Sequence, residues 1–291
     1  MSFLIGVGRV PVAGTSLTTV SFSVLYLTTA CNDSEVPVAA PTITKKSAQP
    51  VRRDKPKELP FPLNIYQTAV GKKWVMALTG LGLIGFIVAH MLGNLKLWIG
   101  EVEHDGEMVQ DIDVYAHFLR EIGEPLFPYG SVLWLARIGL IVMFGLHIHS
   151  AFTLTRLNAA SNVRYQSKPD WLASNFASRT MRISGVIVLF YLIFHLADLT
   201  WGWIPGYDWE YGEVYNNLQG SLGNPVVAAF YIIANSLLAL HIFHGAWSLF
   251  QSLGINNPRY NALRRYFAAG IALFIFVGNV SIPISILAGW V

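Results

Sequence analysis

Five apolar runs, at about 74–99, 131–155, 180–203, 225–250 and 265–289, each reach the ~20 residues that a helix needs to cross a bilayer. In hydrocarbon every backbone N–H and C=O must be satisfied internally, so continuous runs of this length read as transmembrane helices. The rest of the composition agrees: of 291 residues, 53% are hydrophobic and 13% charged, far fewer charges than the roughly 25% of a soluble domain. The expected fold is an all-α integral membrane protein of five transmembrane helices. The net charge of +3 is spread by side of the membrane and forms no patch for nucleic acid. A single cysteine, Cys31, excludes disulfides and cysteine-built zinc or iron–sulfur sites, so any metal chemistry rests on histidine. No internal repeat, phosphate-binding glycine loop or extramembrane catalytic domain stands out.

Residues 1–60 differ in kind. From Asn32 to Pro60 the chain is rich in Pro, Ala, Lys and Arg, and reads as a disordered or dispensable extension to a membrane domain at 61–291. The LTTAC stretch ending at Cys31 resembles a lipoprotein signal, but Pro11, Gly14 and many hydroxyl residues interrupt it.

The basic residues set an orientation. Lys72 and Lys73 precede the first span; Arg156, Arg164, Lys168, Arg179 and Arg182 crowd the second-to-third connection, and Arg259, Arg264 and Arg265 the fourth-to-fifth. The other two connections are acidic, from Glu101 to Glu124 and from Asp208 to Glu213. The positive-inside rule then puts the N-terminus inside and the acidic connections outside.

Six of the eight histidines fall within the spans: His90, His147, His149, His195, His241 and His244. Ionisable residues are costly there and mark functional sites. His90 lies sixteen residues after Trp74 and His195 fifteen after Thr180, which puts both roughly 22–24 Å from the inner edge. His147 and His241 precede the inner ends of their spans by eight and about nine residues, or roughly 12–14 Å. Two imidazole pairs about 10 Å apart in depth are what two bis-histidine haems stacked in a four-helix bundle require. His149 points about 200° from His147 and reads as a polar interhelical contact. His244 shares a face with His241; matching depth favours His241. Arg179 and Arg182 are candidates for the propionates of the inner haem. Arg137 is a candidate for those of the outer haem or for a bound quinone, and equally for a snorkelling arginine. Gly82, Gly85, Gly139, Gly185 and Gly245 would let a flat ring, or a neighbouring helix, approach.

Three segments, GKKWVMALTGLGLIGFIVAHMLGN at 71–94, YAHFLREIGEP at 115–125 and HIFHGAWSLFQSLG at 241–254, closely resemble the single-chain, five-helix diheme cytochrome b subunit of succinate dehydrogenase and fumarate reductase. The resemblance spans about 62–290. It implies two haems b, with His90 and His195 on the outer iron and His147 and His241 on the inner one, in a multi-pass protein of the bacterial cytoplasmic membrane. It further implies a membrane anchor, without a succinate site of its own, that binds the flavoprotein and iron–sulfur subunits and passes electrons to a quinone, menaquinone. A quinone taking up protons needs a titratable group near water. Glu121 and Glu124 are candidates, and equally solvated loop carboxylates; Tyr115, Trp134 and Arg137 would line an outer pocket. The competing functions are the cytochrome b of another respiratory oxidoreductase, and a haem-free transporter or proton channel using the histidines as relays.

Overall fold

Pro56–Val291 is one compact unit. The computed structural model describes residues 59–61, 63–160, 170–255 and 257–291, without the side chains of 160 and 170–179. The predicted extension therefore lies almost wholly outside the described residues.

Among the described residues five helices are long and apolar enough to cross a membrane, and this unit is a helical membrane protein. After a single-turn helix α1 (Leu63–Gln67) come α2 (Ala69–Asn94), a short amphipathic helix α3 (Asp111–Glu121), α4 (Ser131–Ala160), α5 (Asp170–His195), a second short helix α6 (Val214–Leu222), α7 (Pro225–Ser252) and α8 (Asn261–Leu287). The five long helices match the five apolar runs with shifted ends. α2 begins at Ala69, five residues before the expected start, because Thr68 accepts a hydrogen bond from the Gly71 amide and caps it. α7 begins at Pro225, where Asn224 caps the helix and proline costs no hydrogen bond. α5 ends as an α-helix at His195 and widens into a π-helical turn over Leu196–Thr200, which moves the end of this span inward from 203.

The spans assemble as two antiparallel pairs, α2 with α4 and α5 with α7, joined where α2 meets α7; α8 lies across α7 and α2. One apolar cluster unites Leu238 and Ile242 of α7 with Ala272 and Ile275 of α8, and Ile84, Ile87 and Val88 of α2 pack on it. α4 contributes to neither buried cluster among the described residues. Its Leu135, Ile138, Ile141 and Val142 face outward, as do Phe190 and Ile193 of α5 and Phe274 and Val277 of α8. Lipid tails are as apolar as these side chains, so their exposure carries no penalty and close packing holds the helices together. α8 approaches α2 closely at Gly278, where a Cβ would collide with Sδ of the fully buried Met91.

The two acidic connections meet at one end. Between α2 and α3 a hairpin pairs Glu101–His104 (β1) with Glu107–Gln110 (β2). Its two turn residues, Asp105 and Gly106, have φ of 53° and 86°, the left-handed pair that an Asp-Gly turn supplies. Lys96 bonds Asp111 at 2.7 Å. The buried Asp113 accepts the amides of Val214 and Tyr215 at 2.7 and 3.0 Å and so caps α6. Leu97, Ile112, Leu218, Leu222, Tyr231, Ile282 and Ile286 form the apolar floor beneath. This is the acidic end of the bundle; the opposite, basic end carries α1.

Replacing Gly278 with Val should force α8 away from α2 and cost about 1–3 kcal/mol, read as a lower denaturation midpoint in detergent. Gly270→Ala, whose Cβ would meet nothing within 4 Å, should not lower it. Equal midpoints for Gly278→Val and the unaltered protein would contradict this packing.

Candidate functional site: paired histidines between the helix pairs

At the acidic end His90 of α2 and His195, the last α-helical residue of α5, come ring to ring, with centroids 5.9 Å apart and planes at 78°. Each rests on an aromatic ring one turn earlier: Phe86 stacks on His90 at 5.5 Å and Tyr191 lies 5.9 Å from His195. Asn94 reaches Nε2 of His90 at 3.3 Å. Nδ1 of His195 is 3.5 Å from the Tyr231 hydroxyl.

The deeper histidines follow one local pattern. Nδ1 of His147 on α4 is 3.2 Å from the Met76 carbonyl and 3.3 Å from the Thr79 hydroxyl of α2. A Cβ on Gly80 would lie 3.2 Å from Cε1 of the same ring. On the other pair, Nδ1 of His241 on α7 is 3.3 Å from the Ser184 hydroxyl of α5, with the Met181 carbonyl as its backbone partner. A Cβ on Gly185 would lie 3.2 Å from Cε1 of His241. In each pair a carbonyl accepts the Nδ1 proton and a glycine admits the ring edge, which leaves Nε2 as a bare acceptor. His241 and His147 lie near each other in the bundle.

These contacts expose a repeat that the sequence reading missed. Met76, Thr79, Gly80, Phe86 and His90 recur as Met181, Ser184, Gly185, Tyr191 and His195, each 105 residues later. The repeat has the form Met-x-x-Thr/Ser-Gly, an aromatic six residues after the glycine and a histidine four residues after that. Its positions gain meaning only from partners on other helices. Of the glycines singled out in the sequence, Gly185 admits the edge of His241 and Gly82 admits Met143, each allowing the approach of a neighbouring helix, whereas a Cβ on Gly85 or Gly139 would meet nothing within 4 Å.

The donor set fits a metal bound to a planar chelate. A metal–imidazole bond is about 2 Å and a ring nitrogen lies about 1.1 Å from its centroid, so two imidazoles on one metal have centres about 6 Å apart. The His90–His195 separation of 5.9 Å matches. No cluster of three or more His, Cys, Asp or Glu converges among the described residues. A metal held between two imidazoles would take its other ligands from a chelate such as a porphyrin.

His149 stacks on Tyr66 of α1 and bonds its hydroxyl, as a polar contact between elements would. His244 lies beside Phe243, and its Nε2 is buried with no hydrogen-bond partner. Arg137 stacks on Trp134 at 4.9 Å near the acidic end. Arg182 is exposed at the basic end, and the side chain of Arg179 lies outside the described residues. Tyr115 is half-buried against Gly93 with Lys96 above its ring, whereas Glu121 and Glu124 are exposed.

A second group was not singled out from sequence. Asp198, in the π-helical turn three residues after His195, is fully buried and accepts hydrogen bonds from Ser221 (2.6 Å), Tyr231 (2.8 Å) and Tyr207 (3.1 Å). Burial, then the charge of Asp198 and the bond donated to it, raise the Tyr207 hydroxyl above the ordinary phenol range, so it remains a donor. An aspartate inside an apolar span was the signal available in the sequence.

Fold and site define a helical membrane protein with five spans among the described residues, in which His90 and His195 meet ring to ring and His147 and His241 are each held by an adjacent helix. No family model, curated protein or solved structure matches the chain.

The glycine contacts predict a contrast on one helix pair. Gly185→Val should displace His241 and cost about 1–3 kcal/mol of stability in detergent. Gly245→Ala, whose Cβ would sit an ordinary 3.9 Å from Met181, should change the denaturation midpoint by less than about 0.5 kcal/mol.

Proposed function

We propose that this chain is a diheme cytochrome b, the membrane anchor and electron-transfer subunit of a succinate dehydrogenase or fumarate reductase. The observation that carries the reading is the arrangement of imidazoles: two rings face each other at 5.9 Å, and two more have Nδ1 held by matching contacts on separate helix pairs, which makes Nε2 the acceptor. His90 and His195 hold one haem, and His147 and His241 the other. The haems, when bound, supply one-electron Fe(III)/Fe(II) exchange between an iron–sulfur partner and quinone.

The protein's own groups do the rest. Met76 and Met181 carbonyls orient His147 and His241 and strengthen them as ligands. Arg179 and Arg182 are placed for propionates near the basic end, and Arg137 for a propionate or quinone oxygen near the acidic end. Trp134 with Arg137 offers a flat wall for a quinone head group, and the exposed Glu121 and Glu124 offer proton acceptors near water. In this reading the basic end faces the bacterial cytoplasm, where Lys72, Lys73 and Arg265 meet the iron–sulfur subunit, while Arg264 is buried and bonds the Ile255 carbonyl. The motifs at 71–94, 115–125 and 241–254 select this enzyme over other respiratory cytochromes b.

Purified protein should give b-type bands in a dithionite-reduced minus oxidised spectrum, with two haems per chain. His90→Ala or His195→Ala should remove one haem component, and His147→Ala or His241→Ala the other. Co-purification with a flavin-containing subunit tests the enzyme assignment separately. A chain that accumulates in membranes with no b-type absorbance would overturn the cytochrome reading and leave the histidines as relays.

A further inference from the structure

His195 differs from the deeper histidines in what holds its Nδ1. His147 and His241 face backbone carbonyls, which can only accept, so their Nδ1 must carry the proton. The partner of His195 is the Tyr231 hydroxyl, which can donate or accept. Taken alone, that contact would allow His195 either tautomer.

The direction is set one residue further out. Tyr231 donates to Oδ2 of Asp198 at 2.8 Å, and the same oxygen accepts from Ser221 at 2.6 Å. The single Tyr207 proton is shared between Oδ1 at 3.1 Å and the Asp198 backbone carbonyl at 2.9 Å. The hydroxyls of Ser221, Tyr231 and, in part, Tyr207 converge on one carboxyl group with no exposure to solvent, and a carboxylate offers only acceptors. The single Tyr231 proton is thus committed to Asp198, and only its lone pairs face Nδ1 of His195. The π-helical turn makes this reach possible: it widens the helix directly after His195 and sets Asp198 among α6, α7 and the Tyr207 loop.

We infer that Asp198, acting through the Tyr231 hydroxyl, is a positioning residue that fixes His195 with its proton on Nδ1 and its Nε2 lone pair free to bind metal. The carboxylate does for His195 what the Met76 and Met181 carbonyls do for the other two, and it is tied to Tyr207 in the acidic-end connection. This inference rests on the diheme reading.

Three variants of the full chain, purified in detergent, test it by haem content, electron paramagnetic resonance and redox potentiometry. Tyr231→Phe removes the bridge without offering a wrong donor; both haems should remain, with the midpoint of one raised because its imidazole ligand loses an acceptor, and the other unmoved. Asp198→Ala releases the Tyr231 proton to bond Nδ1, which pushes His195 toward the non-ligating tautomer, so one of two haems should be largely lost. The double variant Asp198→Ala/Tyr231→Phe removes the misdirected donor and should recover that haem. Recovery is the result that a merely structural aspartate would not give. Unchanged midpoints in Tyr231→Phe, or a double variant as haem-poor as Asp198→Ala, would overturn the inference. Absence of haem from the unaltered protein would instead overturn the reading on which it rests.

Discussion

A neutral imidazole in hydrocarbon carries one donor and one acceptor, and neither can be left to water. The structure around the four paired histidines follows from meeting that demand. Leaving a buried polar group unsatisfied costs about 1–3 kcal/mol: His90 meets Asn94 of its own helix, whereas His147, His195 and His241 find partners on a neighbouring helix, which must come close. Gly80 and Gly185 permit the approach, and the hydroxyls of Thr79 and Ser184 and the carbonyls of Met76 and Met181 receive Nδ1. The same contacts that solve the polar problem set the spacing of α2 with α4 and of α5 with α7.

With the two pairs defined in this way, α8 has a mechanical role. It brings no histidine, but it lies across α7 and α2 and joins the pairs through Met91 under Gly278 and the cluster around Ile275. At the acidic end the connections act as a lid on the bundle. Asp113 caps α6 from a helix 101 residues earlier in sequence, and α6 in turn supplies Ser221 to Asp198. The surroundings of His195 thus depend on two connections that carry no transmembrane signal.

The features legible in the sequence were those with long periods or strong chemistry. Apolar runs of 20 or more residues fixed the number of spans because hydrocarbon thickness sets their length. Helix ends were less legible: Thr68 caps α2 early, and a π-helical turn intervenes where α5 was expected to continue to 203. The 105-residue recurrence of Met-x-x-Thr/Ser-Gly was present but silent, since each member is an ordinary residue of an apolar helix until its contact is known. Asp198 was hidden among apolar neighbours, and its three donors come from the Tyr207 loop, α6 and α7.

The amino-acid sequence by itself determined that this is a five-span membrane protein and which histidines lie at comparable depth, because both follow from length along a helix at about 1.5 Å per residue. Only the tertiary structure decided which nitrogen of each ring is engaged and by what. Rotation about the helix axis and contact between helices far apart in sequence are set by side-chain packing, which no spacing rule along one chain encodes. Thus His147 and His241 receive carbonyls, His195 a tyrosine backed by a buried aspartate, and His149 a tyrosine from α1.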